Sequence, residues 1–295
     1  MRTKLQISFM LIFKKVADIQ AYLSQQKPAG RGIGFVPTMG ALHAGHLSLI
    51  KLAKADNKLV VTSIFVNPTQ FNDKEDFEKY PITTDTDVAM LIEAGCNVLF
   101  LPSVDEMYPQ GTENMPVFDF GYLETVLEGA HRPGHFRGVG QVVARLLDIV
   151  KPDSLYMGQK DYQQCLVVKN LLGQVAGGND IEMIICPIIR EADGLAMSSR
   201  NRRLTDPQRA VAGTIYQCLI SILSKAPSGN FTVVQKECAD LLADKGFVPE
   251  YIALADAATL QLLDNYSATT QMVALIAAKL GNVRLIDNML VEADS

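Results

Sequence analysis

Short, unbroken apolar runs separated by helix-length segments constrain this chain more than any other feature. Residues 32–37 (GIGFVP), 59–66 (LVVTSIFV), 98–101, 155–157 and 181–187 (IEMIICP) carry little polar alternation. That is the pattern of strands covered on both faces of a parallel sheet. Between them, 46–55, 85–94, 139–150 and 161–175 read as helices; Val142, Val143, Leu146, Leu147 and Val150 recur at helical spacing. Alternating strand and helix predicts an α/β fold with a Rossmann-like open parallel sheet and helices on both faces.

The texture changes after Pro187. Thr205 can cap a long helix with Pro207 in its first turn, and a second helix over 233–245 stops at Gly246. Residues 251–255, 272–278 and 283–289 read as strands. The chain therefore divides into a Rossmann-like domain, 1–188, and a smaller α+β domain, 189–295.

With 295 residues, 48% of them hydrophobic and 20% charged, the chain is neither disordered nor a fibre nor a charged coiled coil. A net charge of −5 argues against a nucleic-acid backbone as the main partner. Five widely spaced cysteines without a C-x-x-C pair argue against a disulfide framework and suit a reducing cytoplasm. The apolar opening is interrupted by Lys14 and Lys15 well short of a membrane span, and no small-residue cleavage site follows it. Met10 reads as an alternative start, with residues 1–9 a weakly ordered extension.

All four histidines lie among glycines or prolines. His43 and His46 stand in PTMGALHAGH, directly after the first long strand and at the start of a helix. Helix N-termini favour phosphate, and two imidazoles add donors for charge moving onto a leaving pyrophosphate. Gly45 leaves room for a nucleotide. Simple helix capping is the plainer alternative; a metal pair lacks the neighbouring acid of H-E-x-x-H. In FVNPTQF, Asn67 and Gln70 sit where a strand end would meet a small polar substrate, although Asn-Pro is also ordinary turn chemistry. HRPGHFRGVG gathers Arg132, His135 and Arg137 and reads either as an anion site or lid, or as a solvated basic loop. In MGQKDYQQ, Lys160 can reach phosphate oxygens, Asp161 can cap the helix or hold ribose, and Gln164 lies one turn on. Finally, DGLAMSSRN offers Ser198, Ser199 and Arg200, a polyphosphate set or a polar loop. Several such segments in one chain point to one shared site.

Taken in this order, PTMGALHAGH, FVNPTQF, RPGHFRGV, GQKDYQQ and DGLAMSSRN resemble the pantothenate synthetase (pantoate–β-alanine ligase) family, within the wider H-x-G-H nucleotidylyltransferase superfamily. The resemblance implies a soluble homodimeric ligase using ATP and Mg²⁺. It would condense (R)-pantoate with β-alanine through pantoyl adenylate, releasing pyrophosphate and then AMP. It implies that Met39, Gly40, Ala41, Leu42, His43, Ala44, Gly45 and His46 line the ATP site, with His46 a proton donor and His43 a phosphate contact. Gly158, Gln159 and Asp161 would face the nucleotide's ribose side, Lys160 its phosphates, and Ile189 and Met197 its adenine. Ser198, Ser199 and Arg200 would close over the phosphates, making the second domain a lid. Gln70 and Gln164 would hold pantoate, with Gln70 also facing β-alanine and Asn67, Pro37 and Thr38 beside them. This chain departs from the family's usual pattern at Gln159, where Glu is common, and at Ile82, where Arg is common. Loss of that arginine predicts a missing ion pair near Asp85 and Asp87.

Overall fold

The computed structural model describes residues 9–26, 32–57, 59–71, 77–78, 80–225 and 230–292. Residues 1–8, most of the predicted N-terminal extension, lie outside this set. The chain divides into two compact units, residues 1–158 with 167–186, and residues 159–166 with 187–295. The last break, between residues 186 and 187, lies two residues before the sequence-based boundary, whereas the short segment 159–166 groups with the C-terminal unit.

The first unit holds a six-stranded parallel sheet: β1 (Leu11–Phe13), β2 (Ile33–Thr38), β3 (Leu59–Ile64), β4 (Val98–Phe100), β5 (Ser154–Gly158) and β6 (Glu182–Cys186), in the order β1-β4-β3-β2-β5-β6. All six residues of β3 and all three of β4 are buried, as continuous apolar runs demand. The helix Ala44–Asp56 buries Leu49, Ile50 and Ala53 in a core with Val36, Val60, Leu91 and Leu99. The helix His135–Val150 presents the apolar stripe read from the sequence, but begins four residues earlier than 139. The strand β1 was not anticipated. Three residues give too little pattern to register, and β1 is held by its pairing with β4.

Chain order reverses at β2: β3 and β4 lie on one side, β5 and β6 on the other. In open α/β sheets such a switch leaves a crevice beyond the strands' carboxyl ends, where ligands bind. The loop that leaves β2 there carries residues 39–43.

The second unit is a four-stranded antiparallel sheet of β7 (Phe247–Asp256), β8 (Leu262–Leu263), β9 (Met272–Leu280) and β10 (Val283–Val291), in the order β10-β9-β7-β8. Helices Thr214–Lys225 and Phe231–Asp244 share a core with it that includes Leu219, Ile222, Phe231, Leu242 and Ile276. The long helix expected from Thr205 is instead two, Asp206–Val211 and Thr214–Lys225. The break is at Gly213, where a Cβ would lie 2.8 Å from the Asp193 carbonyl oxygen. Close approach of the 193 turn has overridden the helical pattern.

Candidate functional site

In the first unit the loop after β2 is fixed by buried polar groups. The Thr38 hydroxyl donates to the Ser63 carbonyl (2.7 Å) and accepts from the Gly40 N–H (3.2 Å). Gly40 (φ +80°) and Ala41 (φ +49°) then turn the chain through the left-handed region. The main chain of this turn is held by Asp87, only 1% exposed, which accepts the N–H groups of Ala41 (3.0 Å) and Leu42 (2.8 Å). Thr83 donates its hydroxyl to the same carboxylate (3.1 Å). Sequence reasoning noted Asp87 only as a neighbour of Ile82 and missed its role in holding this loop. The ion-pair loss expected from Ile82 does not touch it: Ile82 is 81% exposed, and Asp87 draws its contacts from the loop and from Thr83.

The two histidines cap the helix reciprocally. His43 Nδ1 accepts the Gly45 N–H (3.1 Å) and also the His46 N–H, while His46 Nδ1 accepts the His43 N–H (3.4 Å). Their rings lie 4.1 Å apart. An Nδ1 that accepts from an amide carries no proton, so each neutral ring holds its proton on Nε2. This changes the basis of the anion site expected here. The first amides of the helix are turned onto the imidazoles, which leaves Nε2 of each ring as its remaining donor. Capping and phosphate donation use different nitrogens, so the two sequence readings are compatible.

Gln70 ends a short 3-10 turn, Pro68–Gln70, with its Nε2 3.0 Å from Met39 Sδ. The structure thus brings together the β2 loop and the FVNPTQF segment. Asn67 is 1% exposed; its Oδ1 accepts the Tyr108 hydroxyl (2.9 Å) and its Nδ2 donates to the Gly138 carbonyl (3.3 Å). Burial pushes the Tyr108 phenol up to about 12, which keeps it a donor. Asn67 braces the turn from beneath. His135 does the same from the helix His135–Val150. Its Nδ1 lies 2.8 Å from the Gln70 carbonyl and its Nε2 3.0 Å from Arg132 Nη1. Arg132 can only donate, so the proton sits on Nδ1 and is given to Gln70. A Cβ on Gly138 would come within 2.4 Å of the Thr69 carbonyl oxygen, so only glycine allows this helix to pack on the turn. His135 is buried, which removes it from a solvated basic loop, and its bonds tie it to the support of Gln70.

Pro37 lies within β2 opposite Ser63, and Gly158 ends β5 opposite Cys186. All five cysteines are free and buried, in line with the absence of a disulfide pattern. Burial pushes the Cys186 thiol up to about 11 and raises Cys96 as well. Neither is a thiolate nucleophile at neutral pH.

In the second unit Gln159–Asp161 form one 3-10 turn ahead of the helix Tyr162–Leu172; Lys160 and Gln164 are half-buried and Asp161 is exposed. Ile189 and Met197 are brought together by a hairpin, with Met197 N–H on the Ile189 carbonyl (3.0 Å) and a bridge between Arg190 and Ala196. Gly194 (φ +88°) sits against Tyr216, with no space for a side chain. Ser198 Oγ accepts the Arg200 N–H (3.3 Å) and starts the turn Ser199–Arg203, in which Ser199 is buried. Arg190 makes two bonds to Asp287, of 2.5 and 3.0 Å, and lies 4.6 Å over the Tyr216 ring. Burial raises the Asp287 carboxyl, against the opposing pull of Arg190.

Among the described residues, no three His, Cys, Asp or Glu side chains converge to hold a metal ion. Asp87, the buried carboxylate nearest the β2 loop, is engaged by amides and a hydroxyl. No helix among the described residues is long and apolar enough to cross a membrane.

A parallel sheet whose strand order reverses at β2, followed by a helix capped by a pair of imidazoles, defines a doubly wound α/β protein. Comparison with known proteins narrows the class. The family model described as pantoate-beta-alanine ligase matches residues 11–290. A pantothenate synthetase of Cytophaga hutchinsonii is 46% identical over 285 residues, 96% of this chain and 99% of that protein. The crystal structure of pantothenate synthetase from Thermus thermophilus is similar with a TM-score of 0.87 at 40% identity, covering 95% of this chain and 99% of that one. That of a Francisella tularensis pantoate-beta-alanine ligase, complexed with beta-gamma ATP and beta-alanine, gives 0.78 at 37%, covering 97% and 100%. The chain belongs to the pantoate–β-alanine ligase family, an enzyme family of pantothenate biosynthesis.

Proposed function

We propose that the chain joins (R)-pantoate to β-alanine at the expense of ATP, in two steps. A pantoate carboxylate oxygen attacks the α-phosphorus of ATP, and the bond to pyrophosphate breaks. The β-alanine amine, having given a proton to solvent, then attacks the acyl carbon of pantoyl adenylate, and AMP leaves. A free carboxylate is a poor electrophile; adenylation supplies its leaving group without a side-chain nucleophile. Catalysis by positioning and charge stabilisation is sufficient, which accords with the burial of all five cysteines.

In this reading His43 and His46 donate from Nε2 to the phosphates, and Lys160, Ser198, Ser199 and Arg200 stabilise the same developing charge. Gly158 and Asp161 serve the ribose, Ile189 and Met197 the adenine. Gln70 and Gln164, neutral and hydrogen-bonding, suit the hydroxyls and carboxylate of pantoate. Magnesium is part of the substrate, carried on the nucleotide's phosphates as that ion prefers. The enzyme acts as a homodimer in the cytoplasm.

The observation that carries this reading is the reciprocal capping by the histidine pair, in which each Nδ1 accepts a backbone amide and leaves Nε2 as the donor. Pantoate-dependent exchange of labelled pyrophosphate into ATP, with β-alanine absent, tests it. Exchange is the expected result. No exchange, and no AMP when β-alanine is added, would refute it.

A further inference from the structure

The strand β10 carries two adjacent buried polar residues that no step above uses. Asn288 is 2% exposed. Its Nδ2 donates one hydrogen to the Gln159 carbonyl and the other to the Lys160 carbonyl, each at 2.9 Å. Its Oδ1 accepts Gln159 Nε2 at 3.2 Å. The two carbonyls fix the orientation of the amide, because only the nitrogen can donate. Asp287, 3% exposed, holds Arg190, which also donates to the Gly194 carbonyl (3.0 Å) in the turn of the hairpin that leads to Ser198. Successive side chains of a strand point to opposite sides, so one dipeptide can serve two segments.

We infer that Asn288 is a positioning residue for Lys160: by clamping the main chain at Gln159 and Lys160, it sets where the lysine ammonium is delivered. The inference rests on the proposed phosphate role of Lys160. The clamp also gives Gln159, the departure from the family's usual Glu, a partner in this chain. A filler of the core would keep the sheet packed, yet would have no reason to place both donors on these two carbonyls. A displacement of about 1 Å in a charge-stabilising group costs roughly 10²-fold in rate, so such a clamp is where positional accuracy would be lost first.

The test is a double-mutant cycle on the full-length enzyme, read as kcat/KM for ATP in pantoate-dependent pyrophosphate exchange. Asn288→Ala is expected to lower it by about 10–100-fold, with the KM for pantoate within about twofold. In a Lys160→Ala background the same change should cost less than about threefold, because the group it positions is gone. The full factor in both backgrounds, or an equal loss in pantoate binding, would overturn the inference and leave Asn288 a structural residue. If Asn288→Ala does not yield folded protein, Asn288→Asp, similar in shape but without the two N–H donors, takes its place with the same expected outcomes. Absence of exchange in the wild type would refute the ligase reading instead. Calorimetric binding of a non-hydrolysable ATP analogue to the four proteins then carries the cycle: a weaker affinity confined to the Lys160 background supports the clamp, and additive losses overturn it.

Discussion

The carboxylate of Asp87 holds the backbone of Leu42 at 2.8 Å, across 45 residues of sequence, with the Ala41 amide at 3.0 Å on its other oxygen. A buried anion therefore shapes the turn that delivers His43 and His46.

Removing that anion leaves two buried amides without partners. Asp87→Ala is expected to destabilise the protein by about 2–4 kcal/mol, the range for losing charge-assisted bonds to buried donors. Urea denaturation of both proteins measures this. The same variant should raise the KM for ATP more than that for pantoate; equal effects would mean the turn is rebuilt around another acceptor.

Gly138 permits the contact between the helix His135–Val150 and the Pro68–Gln70 turn. Gly138→Ala places a methyl against the Thr69 carbonyl and should cost about 1–3 kcal/mol by overpacking. Because the displaced turn carries Gln70, pantoate KM should rise, as it should in Gln70→Ala, where the contact itself is removed. Steady-state kinetics with unchanged pantoate KM in Gly138→Ala would show that the turn absorbs the methyl without moving the glutamine.

Lys160→Ala should lower turnover by roughly 10²–10³, the cost typical of one lost charge-stabilising donor. A tenfold or smaller loss would remove Lys160 from the principal phosphate contacts.

The Asp193 carboxyl is held below its ordinary range, chiefly by hydrogen bonding from Arg209. A depressed carboxylate stabilises the fold above its unfolded pKa, and that contribution disappears as pH falls through the folded one. Thermal melts of the wild type and Asp193→Asn should therefore differ at pH 7 and converge as pH falls below the ordinary carboxylate range. Both groups are about a third exposed, so the gap should be small and should shrink further with added salt. A constant gap across the range would assign the difference to something other than this ion pair.

Local pattern was enough to place the parallel strands β2 to β6, the long helices between them and the strands β7, β9 and β10, whereas β8, only two residues long, gives no pattern to read. The periods that mark them are properties of a few consecutive residues. The same is true of the H-x-G-H helix start, and of the motif set that resembles the ligase family, since each motif is a short run. What each polar side chain touches was decided by the tertiary structure. HRPGHFRGVG reads as an anion site or a solvated loop until helix packing puts His135 on the Gln70 carbonyl, 65 residues away. Thr205 promises one long helix until the Asp193 turn closes on Gly213. Asp87 and Asn288 stand in no motif at all, and Asn288 meets its carbonyls across 128 and 129 residues. A buried carboxylate or amide must find partners wherever the folded chain supplies them, and that choice is made by topology, which no window of sequence contains.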